Sequence, residues 1–163
     1  MAAMAASAAL AFDSAGWHEK RGLLLREAER LRAAYSNCLS RVKMPAEDVT
    51  VPVETFDDGS VKTVVAAKKA QFFVSDGLVW AEGVVIKKFK ADGAQETLVE
   101  ASSCVVDRAT KSGWAEGPAL VRHGNTLFRG DGVYFSSPEG YVRVFSNADI
   151  ESDDFSSGGG LTL

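Results

Sequence analysis

The sequence predicts a mainly β fold: an antiparallel sheet of repeated hairpins, folded on itself, behind one N-terminal α-helix. Three observations carry this. From Val49 onward β-branched and aromatic residues dominate. Turn signals punctuate that stretch at regular spacing. And one hairpin unit recurs along it.

Residues 14–44 form the helical segment. Ser14 is a suitable N-cap. Leu23, Leu24, Ala28, Leu31, Ala34, Tyr35, Cys38 and Leu39 recur at helical spacing, with charged residues on the other face. Such a stripe suits packing against the sheet, with a membrane-surface or partner-binding helix as the alternative, and Pro45 ends the segment. Ahead of it, Met1 to Ala11 is small and apolar. Ala9-Leu10-Ala11 fits the small-x-small pattern before a signal-peptidase cut. Residues 1–11 therefore read as a signal-peptide remnant without its basic start, and the mature chain would begin at Phe12. The run is too short to span a bilayer.

Strands are expected near 49–55, 61–74, 78–90, 95–107, 112–123, 125–136 and 140–150. Asp57-Asp58-Gly59, Ser75-Asp76-Gly77, Ala91-Asp92-Gly93, Lys111-Ser112-Gly113, His123-Gly124-Asn125 and Ser137-Pro138-Glu139-Gly140 supply the turns between them. Gly, Asp and Asn tolerate the positive φ that tight turns require. The connections are short, so neighbours in sequence pair antiparallel. The β domain spans 49–155, and the Ser/Gly-rich residues 156–163 read as a flexible tail.

Trp80-Ala81-Glu82-Gly83 returns as Trp114-Ala115-Glu116-Gly117. Thr63-Val64-Val65-Ala66-Ala67 returns as Thr97-Leu98-Val99-Glu100-Ala101, and again as Thr126-Leu127-Phe128-Arg129-Gly130. The unit is a hairpin of roughly thirty residues. One hairpin cannot bury its apolar face alone, whereas stacked hairpins share a continuous core. In each Trp-Ala-Glu-Gly, Trp suits the core, Ala a close approach, Glu the solvent and Gly a bulge.

Composition narrows the function classes. The net charge is −4, with no Lys/Arg stripe to neutralise phosphates, which argues against nucleic acid. His18 and His123 are the two histidines, and no metal-ligand cluster accompanies them. No G-x-S-x-G, P-loop or dinucleotide fingerprint is present. No enzymatic activity and no cofactor are expected. Lys87, Lys88 and Lys90 form a basic patch with Lys68 and Lys69 across a hairpin. Cys38 and Cys104 either pair in an oxidising compartment, tying helix to sheet, or stay as two buried thiols.

The glycine-punctuated strands carry a resemblance. Ala81-Glu82-Gly83-Val84-Val85-Ile86, Ala115-Glu116-Gly117-Pro118-Ala119-Leu120 and residues Gly124 to Phe135 resemble the repeat of the lipopolysaccharide-transport β-jelly roll. That is the domain shared by the inner-membrane bridge protein, the periplasmic bridge protein and the N-terminal part of the outer-membrane translocon. The resemblance covers about residues 61–155. The helix has no counterpart in a minimal bridge protein. The resemblance implies a V-shaped sheet and a periplasmic role in a Gram-negative-type cell. It also implies a lipid or lipopolysaccharide ligand, and edge-strand pairing with other jelly-roll proteins. Acyl chains would enter between the inner faces of the sheet. Inward candidates, chosen by alternation and bulk, are Phe72, Val74, Trp80, Val84, Ile86, Val105, Trp114, Leu120, Val133, Phe135, Val142 and Val144. Each also serves as ordinary core in a closed, non-catalytic interaction domain, which is the alternative reading.

Overall fold

The computed structural model describes the backbone of residues 2–152 and the side chains of residues 16–152. One helix, α1 (Ala2–Arg41), precedes seven strands: β1 (Ala46–Thr55), β2 (Val61–Phe73), β3 (Leu78–Phe89), β4 (Gln95–Asp107), β5 (Ser112–His123), β6 (Thr126–Ser136) and β7 (Tyr141–Ser152). All seven expected strands form. The helix starts earlier than expected, and Ser14 lies inside it rather than capping it. Alanine is the strongest helix former, so the Ala-rich segment before Ser14 extends the helix. The side chains of the expected signal-peptidase site, and the expected tail at 156–163, lie outside the described residues.

The chain divides into two compact units, residues 1–30 and 31–163. Within the first, Arg30 Nε donates to Glu27 Oε2 at 2.8 Å across one helical turn. The second holds the last helical turns and the whole sheet.

The strands follow sequence order, β1 to β7, every neighbour antiparallel. Turns at one end join β1 to β2, β3 to β4 and β5 to β6. The first two repeat one geometry: Phe56 and Ser60, like Lys90 and Ala94, are joined N–H to carbonyl at 2.8 Å around a glycine with positive φ. Four-residue turns at the other end join β2 to β3, β4 to β5 and β6 to β7.

At one level, the ladder breaks in every strand. Pairing skips Asp48 and Lys68, then Gly83, then Ser102, and it shifts at Gly117-Pro118 and beside Asp131. Asp48 (φ 50°), Gly83 (63°), Gly117 (73°), Gly132 (72°) and Asn147 (53°) lie along this line. An extra or left-handed residue changes which face the next side chain takes. The inner face therefore reads Val65, Ala67, Ala70, Phe72 in β2, Val79, Ala81, Val84, Ile86 in β3, and Val99, Ala101, Cys104, Val106 in β4, with one interval of three instead of two. The line is a crease that divides the sheet into two arms. Small inner residues flank it, among them Ala67, Ala70, Ala81, Ala101, Cys104, Ala115 and Ala119. Bulkier Val, Ile and Phe stand farther out along both arms.

On the other face of one arm, Trp80, Val105, Trp114 and Tyr134 form a buried cross-strand row. The last turns of α1 cover it. Tyr35 Oη is 2.5 Å from Ser103 Oγ, the Arg32 guanidinium lies over the Trp114 ring at 5.5 Å, and that of Arg41 lies over Phe73 at 4.7 Å. Arg41 also pairs with Asp76 of the β2–β3 turn at 2.7 Å.

The crease demands left-handed backbone, so any side chain there is costly other than that of Asn or Asp. Gly83→Ala is expected to cost about 1–2 kcal/mol, whereas Asn147→Gly leaves stability equal or higher. Urea denaturation of the two variants beside the parent checks this.

Candidate functional site

The inner faces of the two arms enclose a cavity of about 710 Å³. Val49, Val51, Val53, Val65, Ile86, Val99, Val121 and Phe128 line it from one side of the crease, and Phe72, Val79, Val106, Phe135 and Val142 from the other. This is the size of a small-molecule site, and its walls are mostly apolar. Gly113 opposite Phe135 makes room for the Phe135 ring, which a β-carbon there would strike.

Polar side chains edge the cavity. On one rim Glu54, Thr63, Lys88, Thr97 and His123 stand in cross-strand register. Thr63 Oγ1 donates to Glu54 Oε2 at 2.7 Å, and Thr97 Oγ1 is 2.8 Å from His123 Nδ1. On the other rim, Asp107 Oδ1 accepts from the backbone N–H of Ala109 at 2.9 Å and Thr110 at 3.3 Å, fixing the β4–β5 turn. Ser137 N–H donates to the Lys111 carbonyl at 3.1 Å, joining that turn to the β6–β7 turn.

The two rims touch. Lys111 Nζ lies 2.9 Å from Glu54 Oε1, and Lys88 Nζ donates to Ser137 Oγ at 3.3 Å. Both contacts bridge the mouth, from strands of one rim to turns of the other. Burial raises the Glu54 pKa, but the hydrogen bond from Thr63 and the charge and hydrogen bond of Lys111 outweigh it. Together they hold the carboxyl below its usual range.

The sequence-selected groove residues fall into four places. Phe72, Ile86, Phe135 and Val142 line the cavity. Val84, Val133 and Val144 share the inner face, packed with its core. Trp80, Val105, Trp114 and Leu120 point the opposite way, the first three into the buried row on the helix-covered face. There Trp114 meets Phe145 at 5.0 Å between ring centroids, and its Nε1 donates to Glu116 Oε2 at 2.7 Å. Val74 belongs to the β2–β3 turn and is 88% exposed. Bulk misled the selection: the largest residues of the repeat serve the helix interface, while the cavity is walled by valines. Among the residues not selected, Val65, Val79, Val99 and Val106 were legible in principle, had the face been made to slip at Gly83 and its neighbours.

One other expectation is corrected. Lys68 and Lys69 do not face Lys87 and Lys88: Lys69 pairs with Glu82 near the crease, and Lys88 pairs with Thr63 at the rim. Of the two cysteine readings, the structure has the second, two buried thiols. Cys104 joins the inner-face core, while Cys38 belongs to the helix packed on the opposite face, so the sheet itself separates the two buried, free thiols. Burial pushes the Cys104 thiol up to about 12. Burial also raises Cys38, against the neighbouring Arg41 charge and with that of Asp76. Among the described residues, no group of three or more His, Cys, Asp or Glu could hold a metal ion, and no helix is long and apolar enough to cross a membrane.

The architecture has a solved counterpart. LptH from Pseudomonas aeruginosa, described as the LptA-homologous periplasmic component of a conserved lipopolysaccharide transport device, matches with a TM-score of 0.50 and 10% identity over 66% of this chain and 92% of that one. The chain has the β-jelly-roll fold of that protein. No protein-family model matches it, and no curated protein matches it by sequence. Within the jelly roll, β1 and β7 are the two edges.

Two measurements test the geometry. Neither thiol of the native chain should react with a maleimide at neutral pH, and both should react once urea unfolds it. Glu54, its folded pKa depressed, stabilises the fold fully above the ordinary carboxylate range, and that contribution fades as pH falls through its lowered value. The stability gap between the parent and Glu54→Gln, followed by urea titration from pH 7 downward, should therefore close in acid.

Proposed function

We propose that this chain binds and passes on an acylated lipid of lipopolysaccharide type, in the periplasm, with its acyl chains between the two arms of the jelly roll. The observation that carries the reading is the apolar cavity of about 710 Å³ in a fold shared with a lipopolysaccharide-transport component. Moving acyl chains from water into such walls is favourable by about 0.8 kcal/mol per methylene, with no bond to make or break. The sugars and phosphates would stay at the polar rims. No catalytic group is needed, and the chain is read as a carrier rather than an enzyme. The two open edges, β1 and β7, suit strand addition by other jelly-roll proteins. A closed structural domain is the competing reading, and a packed core in place of a cavity would favour it.

The test places a photo-crosslinking amino acid at Val99 or Phe135, both on the cavity wall, and at Val74, in the outer turn. Lipid A should crosslink saturably at the first two and not at the third. Labelling at all three alike, or at none, would remove the groove from the account. Independently, Val99→Trp fills the cavity at an overpacking cost of about 1–3 kcal/mol. It should abolish binding of an acyl probe while the chain still melts cooperatively.

A further inference from the structure

The three turns of one rim share a design with one exception. Each spans four residues and ends at a left-handed position: Gly77 (φ 68°) between β2 and β3, Gly140 (φ 57°) between β6 and β7, and Lys111 (φ 54°) between β4 and β5. Glycine takes this conformation without strain, and lysine does not. Backbone strain kept where an unstrained residue would serve points to a task for the side chain. The Lys111 side chain reaches across the mouth to Glu54, beside the second cross-mouth contact, Lys88 to Ser137. Two amines thus stand over an apolar cavity, one held by a carboxylate and one by a hydroxyl. Lys111 remains half exposed, and Arg108 of the same turn also lines the cavity.

We infer that Lys88 and Lys111 form a latch on the groove which a phosphate-bearing amphiphile opens, the phosphate replacing Glu54 and Ser137 as their partner while the acyl chains enter below. The inference rests on the groove reading above and adds the side chains that select the phosphate. Charge complementarity selects the occupant. Two ammonium groups at the mouth of an apolar cavity match an acyl tail ending in a phosphate, whose doubly charged oxygens accept from both. A neutral acyl lipid would have to break both contacts and leave the Lys88 and Lys111 amines without a charged partner in exchange. Discrimination therefore arises at the mouth, and the valine walls need only accept hydrocarbon.

The full chain is titrated with phosphatidic acid and with diacylglycerol carrying the same pyrene-labelled acyl chain, in neutral detergent micelles, and inorganic phosphate serves as competitor. The parent should bind phosphatidic acid about tenfold more tightly than diacylglycerol, and inorganic phosphate at matched concentration should displace neither. In Lys88→Met/Lys111→Gly the ratio should fall to about one. Lys111→Gly alone should melt no lower than the parent, because relief of the left-handed strain offsets the lost pair with Glu54. Glu54→Gln keeps both amines and removes their internal competitor, and it should tighten phosphatidic acid about threefold. A parent that binds both lipids equally, a preference that survives in the double variant, displacement by inorganic phosphate, or a Glu54→Gln protein that binds phosphatidic acid no better would each overturn the latch and leave the groove standing. Binding of neither lipid by the parent would overturn the groove and the latch together.

Discussion

In a pleated sheet, side chains alternate between faces, and a long strand that keeps this alternation presents one flat surface on each side. Here the alternation is interrupted at a single level that crosses the whole sheet, through Asp48, Gly83, Gly117, Gly132 and Asn147 in the left-handed region. The rest of the architecture depends on that line. It turns one sheet into two arms with a common inner face. It places alanines where the arms converge and valines where they diverge, and it brings two sets of turns near enough to touch. A strictly regular meander of the same strands would have neither the cavity nor the bridged mouth.

Much of this architecture was written in the local chemistry of the sequence. Turn dipeptides such as Asp58-Gly59, Asp92-Gly93 and Gly124-Asn125 fixed the strand boundaries, because few residues accept their dihedrals. The recurring Trp-Ala-Glu-Gly marked the hairpin unit, and its glycine marks the crease. What could not be read was which face each residue takes. Trp80 and Trp114 look like natural groove walls by bulk, yet they face the helix, since one left-handed residue inverts the parity that any count of alternate positions assumes. The site suffered most from this, because its walls are ordinary valines without a signature. The partners that join its rims, Glu54 with Lys111 and Lys88 with Ser137, are separated by long stretches of sequence.

The two faces of the sheet are packed differently. The outer face of one arm, with the row from Trp80 to Tyr134, is covered by the last turns of α1 through cation–π and hydroxyl contacts. That face supplies close packing and directional contacts, which fix a single structure. The inner face is left underfilled between the arms, at a cost in lost dispersion contacts that the packed outer face offsets. Burial keeps both cysteines as thiols on either side of the sheet, so this division relies on packing rather than a covalent tie.

Because each strand pairs only with its neighbours in sequence, the sheet has no crossover to rethread. A hairpin duplicated in the gene would slot between existing ones, carrying its own pair of crease residues and its own share of wall. The architecture is extensible in the manner of a solenoid, where each added module contacts only those beside it. The trough would lengthen without widening, so the length of the cavity becomes a matter of copy number rather than of redesign.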